Sequence, residues 1–211
     1  MTERIRENQV TFRSGGLTLE GLLASGGSDA PAAVVCHPHP MYGGSMFNNV
    51  VDAILAALWQ TGYATLRFNF RGAGASEGEH DGGRGEIGDA AAAMEFLLSR
   101  PGVRKDGAVM AGYSFGAMVA VSAGYEHAEI SRIVAVALPL GMTEARVPAG
   151  ASKPLLLVSG DRDSYSPVAA LTSLQARLGK SARLEIIKGA DHFFGGVETE
   201  LSRVIATSLR R

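Results

Sequence analysis

The stretch Ala108-Val109-Met110-Ala111-Gly112-Tyr113-Ser114-Phe115-Gly116-Ala117-Met118-Val119-Ala120 changes character at its middle. Ala108 to Tyr113 is an almost continuous apolar run of strand length, and Phe115 to Tyr125 reads as a helix. Only Ser114 separates them. A strand that enters a helix through one residue, with Gly112 and Gly116 on either side to permit close backbone approach, predicts a sharp strand-to-helix turn with the serine at its apex.

Read outward from there, the chain alternates. Upstream, strands are predicted at Gln9 to Arg13 and Leu17 to Ala24, joined at Ser14-Gly15-Gly16 as an antiparallel hairpin, then at Ala32 to Cys36. A helix follows at Met46 to Gln60, a strand at Ala64 to Phe70, a Gly-rich loop at 71–85 and an Ala-rich helix at Glu86 to Arg100. Downstream come strands at Ile133 to Leu138 and Leu155 to Ser159, a helix at Val168 to Leu178, a strand at Arg183 to Ile187 and a helix at Val197 to Leu209. Apolar strands alternating with helices predict an α/β fold: a mostly parallel sheet, helices on both faces, the N-terminal hairpin antiparallel. No linker or repeat divides the chain, so a single domain over residues 1–211 is expected.

The chain has 211 residues, with Lys+Arg 20 against Asp+Glu 21, a net charge of -1 and one cysteine. Near-neutral charge without a basic block gives no reason to expect nucleic acid or an acidic membrane as partner. One cysteine excludes an internal disulfide and every Cys-rich zinc pattern. The opening MTERIRENQVTF lacks the apolar core of a signal peptide, and no run reaches the roughly 20 apolar residues of a membrane helix. A cytoplasmic protein is expected.

In open α/β sheets ligands bind beyond the carboxyl ends of the strands, and the reactive residue types of this chain fall there. Gly and Ser are common enough that Gly-x-Ser-x-Gly at 112–116 carries little weight alone; its position between strand and helix makes Ser114 the candidate nucleophile. A serine hydroxyl needs a base, and of five histidines His192 lies in a loop between the last strand and the last helix. The base needs a carboxylate to fix its tautomer. Ser159-Gly160-Asp161-Arg162-Asp163 offers two, and Asp163, further into the loop, is preferred over Asp161, which would brace the turn or pair with Arg162. The order Ser…Asp…His differs from those of chymotrypsin and subtilisin.

Acyl transfer also needs two N–H donors for the developing oxyanion. One is expected from the Phe115 backbone, the other from His37-Pro38-His39-Pro40-Met41-Tyr42-Gly43-Gly44. Prolines have no N–H, which leaves His39 first, with Met41 or Tyr42 as fallback. His37-x-His39 as a metal pair lacks a third ligand, and a buried His37 bonded to backbone is preferred; no metal or cofactor is called for. Arg71 is expected in an ion pair with Glu77, Glu86 or Asp89 rather than on a substrate.

Together these segments resemble the α/β-hydrolase superfamily over the chain from Gln9 on, and within it small lidless bacterial serine hydrolases of the dienelactone-hydrolase-like type. The resemblance rests on His-Pro-His-Pro at 37–40, Asn-x-Arg-Gly-x-Gly-x-Ser-x-Gly at 69–78 and Gly-x-Ser-x-Gly at 112–116. It implies the α/β-hydrolase fold and a triad of Ser114, Asp163 and His192. Dienelactone hydrolases proper use cysteine where this chain has Ser114, which favours a small or exposed carboxylic ester or thioester as substrate. The Pro139 to Pro154 loop, where relatives insert a cap, is too short for a lid with its own core. An open cleft is expected, with Phe115, Met41, Tyr42, Met142 and Phe193 as candidate walls. Acyl transfer or peptide cleavage through the same triad, or a binding protein on a hydrolase fold, are the alternatives.

Overall fold

The computed structural model describes residues 6–140, 147, 148 and 150–210. Its strands are β1 Glu7–Ser14, β2 Leu17–Ala24, β3 Ala30–Cys36, β4 Ala64–Phe68, β5 Val103–Tyr113, β6 Ile130–Val136, β7 Leu155–Gly160 and β8 Ala182–Ile187. The α-helices are α1 Asn49–Gln60, α2 Arg84–Leu98, α3 Phe115–Glu126, α4 Val168–Leu178 and α5 Glu198–Leu209. All eight strands form one sheet in the order β1-β2-β4-β3-β5-β6-β7-β8. β1 and β2 are antiparallel, as are β2 and β4; every other neighbour is parallel.

The hairpin turns on Gly15 (φ 51°) and Gly16 (φ 95°), the left-handed pair that a two-residue turn between right-twisting strands needs. Within the parallel part, side chains alternate between two cores. Val34, Met110, Ile133 and Leu157 face one side, where α2, α3 and α4 pack; Val35, Ala111, Val134 and Leu156 face the other, against α1 and α5. Helices therefore cover both faces, and each fully buried Val, Leu or Ile contributes about 1.5–3 kcal/mol of transfer free energy.

Strand order also positions the site. From β3 the chain steps through α1 to β4 on one side, then through α2 to β5 on the other, so the winding reverses between β3 and β5. Cys36 at the end of β3 lies opposite Gly112 near the end of β5. The crevice at this reversal opens between the loop starting at His37 and the turn at Ser114.

Several boundaries differ from the sequence reading. The first helix starts at Asn49, not Met46: Asn48 caps it by accepting the Val50 N–H (2.9 Å), while the Met46 N–H is taken by Asn69 Oδ1 (2.9 Å). β4 stops at Phe68 rather than Phe70: the Asn69 N–H still bonds Glu20 O on β2 (3.1 Å), but the Phe70 N–H turns to His37 Nε2 (3.0 Å). Helix α2 begins before Glu86, whose buried carboxylate accepts the N–H groups of Asp81 (2.9 Å) and Gly83 (2.8 Å) at the helix start. β5 begins at Val103 rather than Ala108, and α5 at Glu198 rather than Val197. No helix among the described residues is long and apolar enough to cross a membrane.

Candidate active site

The turn predicted at Ser114 is present and strained. Ser114 adopts φ 54°, ψ -120°, a left-handed conformation that L side chains rarely occupy. Its N–H donates to Val136 O (2.9 Å), and its own carbonyl accepts from Ala117 and Met118 as α3 starts. The flanking glycines are steric requirements. A Cβ on Gly112 would lie 2.1 Å from Gly116 O, and one on Gly116 would lie 2.3 Å from Cys36 O and 2.4 Å from His37 O. Helix α3 thus rests directly on the backbone where β3 ends, drawing the two carboxyl-edge loops together.

Ser114 Oγ lies 2.9 Å from His192 Nε2, and His192 Nδ1 lies 2.8 Å from Asp163 Oδ2 and 3.0 Å from Oδ1. The Asp163 side chain is fully buried and that of His192 only 10% exposed. Asp163 also accepts the N–H groups of Tyr165 and Ser166, each at 2.9 Å, so the carboxylate is fixed from two sides. The loop carrying His192 is anchored by Tyr113, whose hydroxyl donates to His192 O (3.0 Å). Burial and the charges of Asp163 and Asp191 push the Tyr113 hydroxyl well above the ordinary tyrosine range, so it remains a donor. In this arrangement the imidazole can accept a proton from the hydroxyl at Nε2 while its Nδ1–H is held by a carboxylate.

The other carboxylates lie elsewhere. Asp161 braces the turn by accepting the Gly189 N–H (2.6 Å), and Asp191 accepts the Phe193 N–H (2.9 Å). Arg71 forms a two-pronged pair with buried Asp89, Nε to Oδ2 at 2.9 Å and Nη2 to Oδ1 at 2.8 Å. Of its three expected partners, Asp89 is the one it meets.

On the facing loop His37 is fully buried and bonded to main chain: its Nε2 accepts the Phe70 N–H (3.0 Å) and its Nδ1 meets Pro38 O at 2.6 Å. Burial lowers its pKa to about 4, so it is neutral at pH 7. The His39 ring lies tilted against both His80 and Phe115, with ring centroids 4.5 and 4.8 Å away. Desolvation and the neighbouring His80 hold its pKa below the ordinary histidine value. The N–H groups of the fallback donors are occupied: Met41 donates to His39 Nδ1 (3.2 Å) and Tyr42 to His39 O (3.1 Å). Neither the His39 N–H nor the Phe115 N–H has a protein acceptor among the described residues, and both residues line the cleft.

That cleft encloses about 580 Å³ and includes Tyr42, Asn48, Ser114, Met118, Pro139, Tyr165, His192 and Phe193 in its lining. Of the expected walls, Phe115, Tyr42 and Phe193 are there; Met41 is not among the lining residues and is 71% exposed, and Met142 lies outside the described residues. Met118, Pro139, Tyr113 and Tyr165 were missed. Met118 stands one helical turn beyond Ser114, a spacing that could have found it.

Comparison with known proteins agrees with this fold. A family model described as X-Pro dipeptidyl-peptidase (S15 family) matches residues 24–175. An uncharacterized protein of Rickettsia prowazekii is 35% identical over 207 residues, covering 93% of this chain and 86% of its own. A protein of unknown function from Agrobacterium tumefaciens superposes with TM-score 0.89 at 32% identity, covering 97% of this chain and 95% of its own. A serine hydrolase without lid from Xanthomonas campestris gives TM-score 0.85 at 29% identity, covering 98% and 94%. The chain belongs to the X-Pro dipeptidyl-peptidase (S15) family, within the α/β-hydrolase superfamily.

Proposed function

We propose that the chain is a cofactor-independent serine hydrolase cleaving carboxylic esters or thioesters of small or exposed acyl groups. The observation that carries this is the unbroken chain Ser114 Oγ, His192 Nε2, His192 Nδ1, Asp163 at 2.9 and 2.8 Å. Ser114 Oγ attacks the acyl carbon as His192 Nε2 takes its proton, and Asp163 stabilises the imidazolium. The N–H groups of Phe115 and His39 receive the oxyanion. Collapse expels the alcohol or thiol, protonated by His192; water, deprotonated by the same nitrogen, then releases the acid and restores Ser114.

The cleft supports a neutral acyl group. Its described lining is aromatic, Met, Pro, Gly, Asn, Ser and His, whereas a dipeptidyl substrate would bring a free α-ammonium that binds best to a carboxylate. Tyr42 (82% exposed) and Phe193 (62%) stand open at the rim, which suits an ester presented on a larger molecule as well as a small one. The family match favours amide cleavage as the second reading, since the same acyl-enzyme forms from a peptide. Turnover of p-nitrophenyl acetate should fall by several orders of magnitude in Ser114→Ala, and near wild-type turnover would contradict the assignment. Faster turnover of an X-Pro p-nitroanilide than of any p-nitrophenyl ester would favour the peptidase. Transfer to added alcohol in preference to water would identify an acyltransferase.

A further inference from the structure

We propose that His37 is a positioning residue that fixes the orientation of the Pro38–His39 peptide, so that the His39 N–H is held toward the reacting carbonyl before substrate arrives. The inference rests on the functional reading above and deepens it. His37 touches neither substrate nor Ser114; it acts through the peptide bond.

The tautomer follows from its partners. Nε2 accepts the Phe70 N–H (3.0 Å) and therefore carries no hydrogen, which places the single ring proton of the neutral imidazole on Nδ1. Nδ1–H then donates to Pro38 O at 2.6 Å. That carbonyl and the His39 N–H are opposite ends of one planar peptide unit, so a donor gripping the oxygen aims the N–H the other way. The grip is reinforced. Gly44 packs against the same carbonyl so closely that a Cβ there would lie 2.2 Å from Pro38 O. His39 itself precedes Pro40 and is confined to extended backbone (φ -57°, ψ 121°). The Phe70 N–H in turn fixes the ring to the loop after β4, where the neighbouring Asn69 N–H is bonded to Glu20 O (3.1 Å).

An oxyanion donor stabilises the transition state because it needs no reorientation when charge develops. Freeing the Pro38 carbonyl lets the peptide rotate, with loss expressed in kcat and little change in KM. Two substitutions separate the ring's two bonds. His37→Gln retains an acceptor near the Nε2 position for Phe70 but has no donor near Nδ1; His37→Asn places an amide N–H near Nδ1 and gives up the Phe70 bond.

The experiment measures kcat, KM and boronic-acid inhibition with a p-nitrophenyl ester, alongside thermal stability and a Ser114→Ala control. A positioning role predicts that His37→Gln loses about 10- to 100-fold in kcat with KM within about threefold, and binds the tetrahedral boronate correspondingly less well, while His37→Asn recovers most of the loss. The proposal is overturned if folded His37→Gln keeps wild-type kcat, or if both variants lose activity only in proportion to stability. Should neither fold, ¹⁵N NMR of the wild-type ring decides: protonated Nδ1 with bare Nε2 supports the proposal, and the reverse tautomer overturns it. Turnover that survives Ser114→Ala would instead remove the functional reading on which the inference rests.

Discussion

Two histidines on neighbouring carboxyl-edge loops are held in opposite ways. Both nitrogens of His37 meet main-chain groups, Phe70 N–H and Pro38 O, in a fully buried setting. Both nitrogens of His192 meet side chains, Ser114 and Asp163, at the edge of an open cleft. A ring fixed between an amide and a carbonyl has one tautomer and nowhere to send a proton. A ring between a hydroxyl and a carboxylate can receive one and return it. Within one sheet edge, the partners of the ring rather than the residue type separate a static brace from a group suited to proton transfer.

The contrast breaks most sharply at His192. Replacing His192 by Ala should lower p-nitrophenyl acetate turnover by about 10⁴-fold or more, comparable to removing Ser114, and the double variant should be no slower than either single one because the two act as a unit. Additive losses in steady-state kinetics would show that they do not act together.

The next largest effect separates two carboxylates on one loop. Asp163→Asn should reduce kcat by about 10²- to 10⁴-fold, since the amide favours the wrong imidazole tautomer. Asp161→Asn weakens only the bond to Gly189 N–H and should leave kcat within about threefold, with a small fall in melting temperature. Equal losses at the two positions would erase the distinction that the geometry draws.

A smaller effect lies in stability against pH. His37 has its folded-state pKa lowered by burial from 6.5 to about 4. Between those values the unfolded chain binds a proton that the folded chain does not, so stability is full above pH 6.5 and falls as pH drops toward 4. The total is about 3 kcal/mol for this group. Denaturation midpoints measured from pH 7 to pH 4 should slope less in His37→Gln than in wild type. Parallel slopes would mean that His37 titrates as an ordinary exposed histidine.

Much of the architecture was legible because each strand and helix carried its own period. The central parallel strands carry buried apolar residues on both faces, and α1 and α5 each carry an apolar stripe. Boundaries were legible only where a local signal marked them. The cap at Asn48 was obscured by Met46 and Phe47, apolar residues that belong to the loop; the end of β4 depended on the bond from the Phe70 N–H to His37, distant in sequence. At the site, the order of Ser114, Asp163 and His192 along the chain suggested that they meet, and the coordinates bring their polar atoms within hydrogen-bond distance. Tyr165 and Pro139 could not have been found as cleft residues, because loop side chains have no periodicity to fix their direction. The grip of His37 on the neighbouring carbonyl was equally hidden: backbone bonding could be preferred because no third metal ligand stands near, but the identity of the two partners depends on how β3 and the β4 loop lie together.

The central claim is that the hydroxyl of Ser114 is made reactive by His192. Labelling the intact protein with a fluorophosphonate, followed by peptide mass spectrometry, tests it most directly. One adduct per chain on the peptide containing Ser114, lost in His192→Ala, is the predicted result. A folded protein that takes no label, or takes it on another residue, would contradict the account.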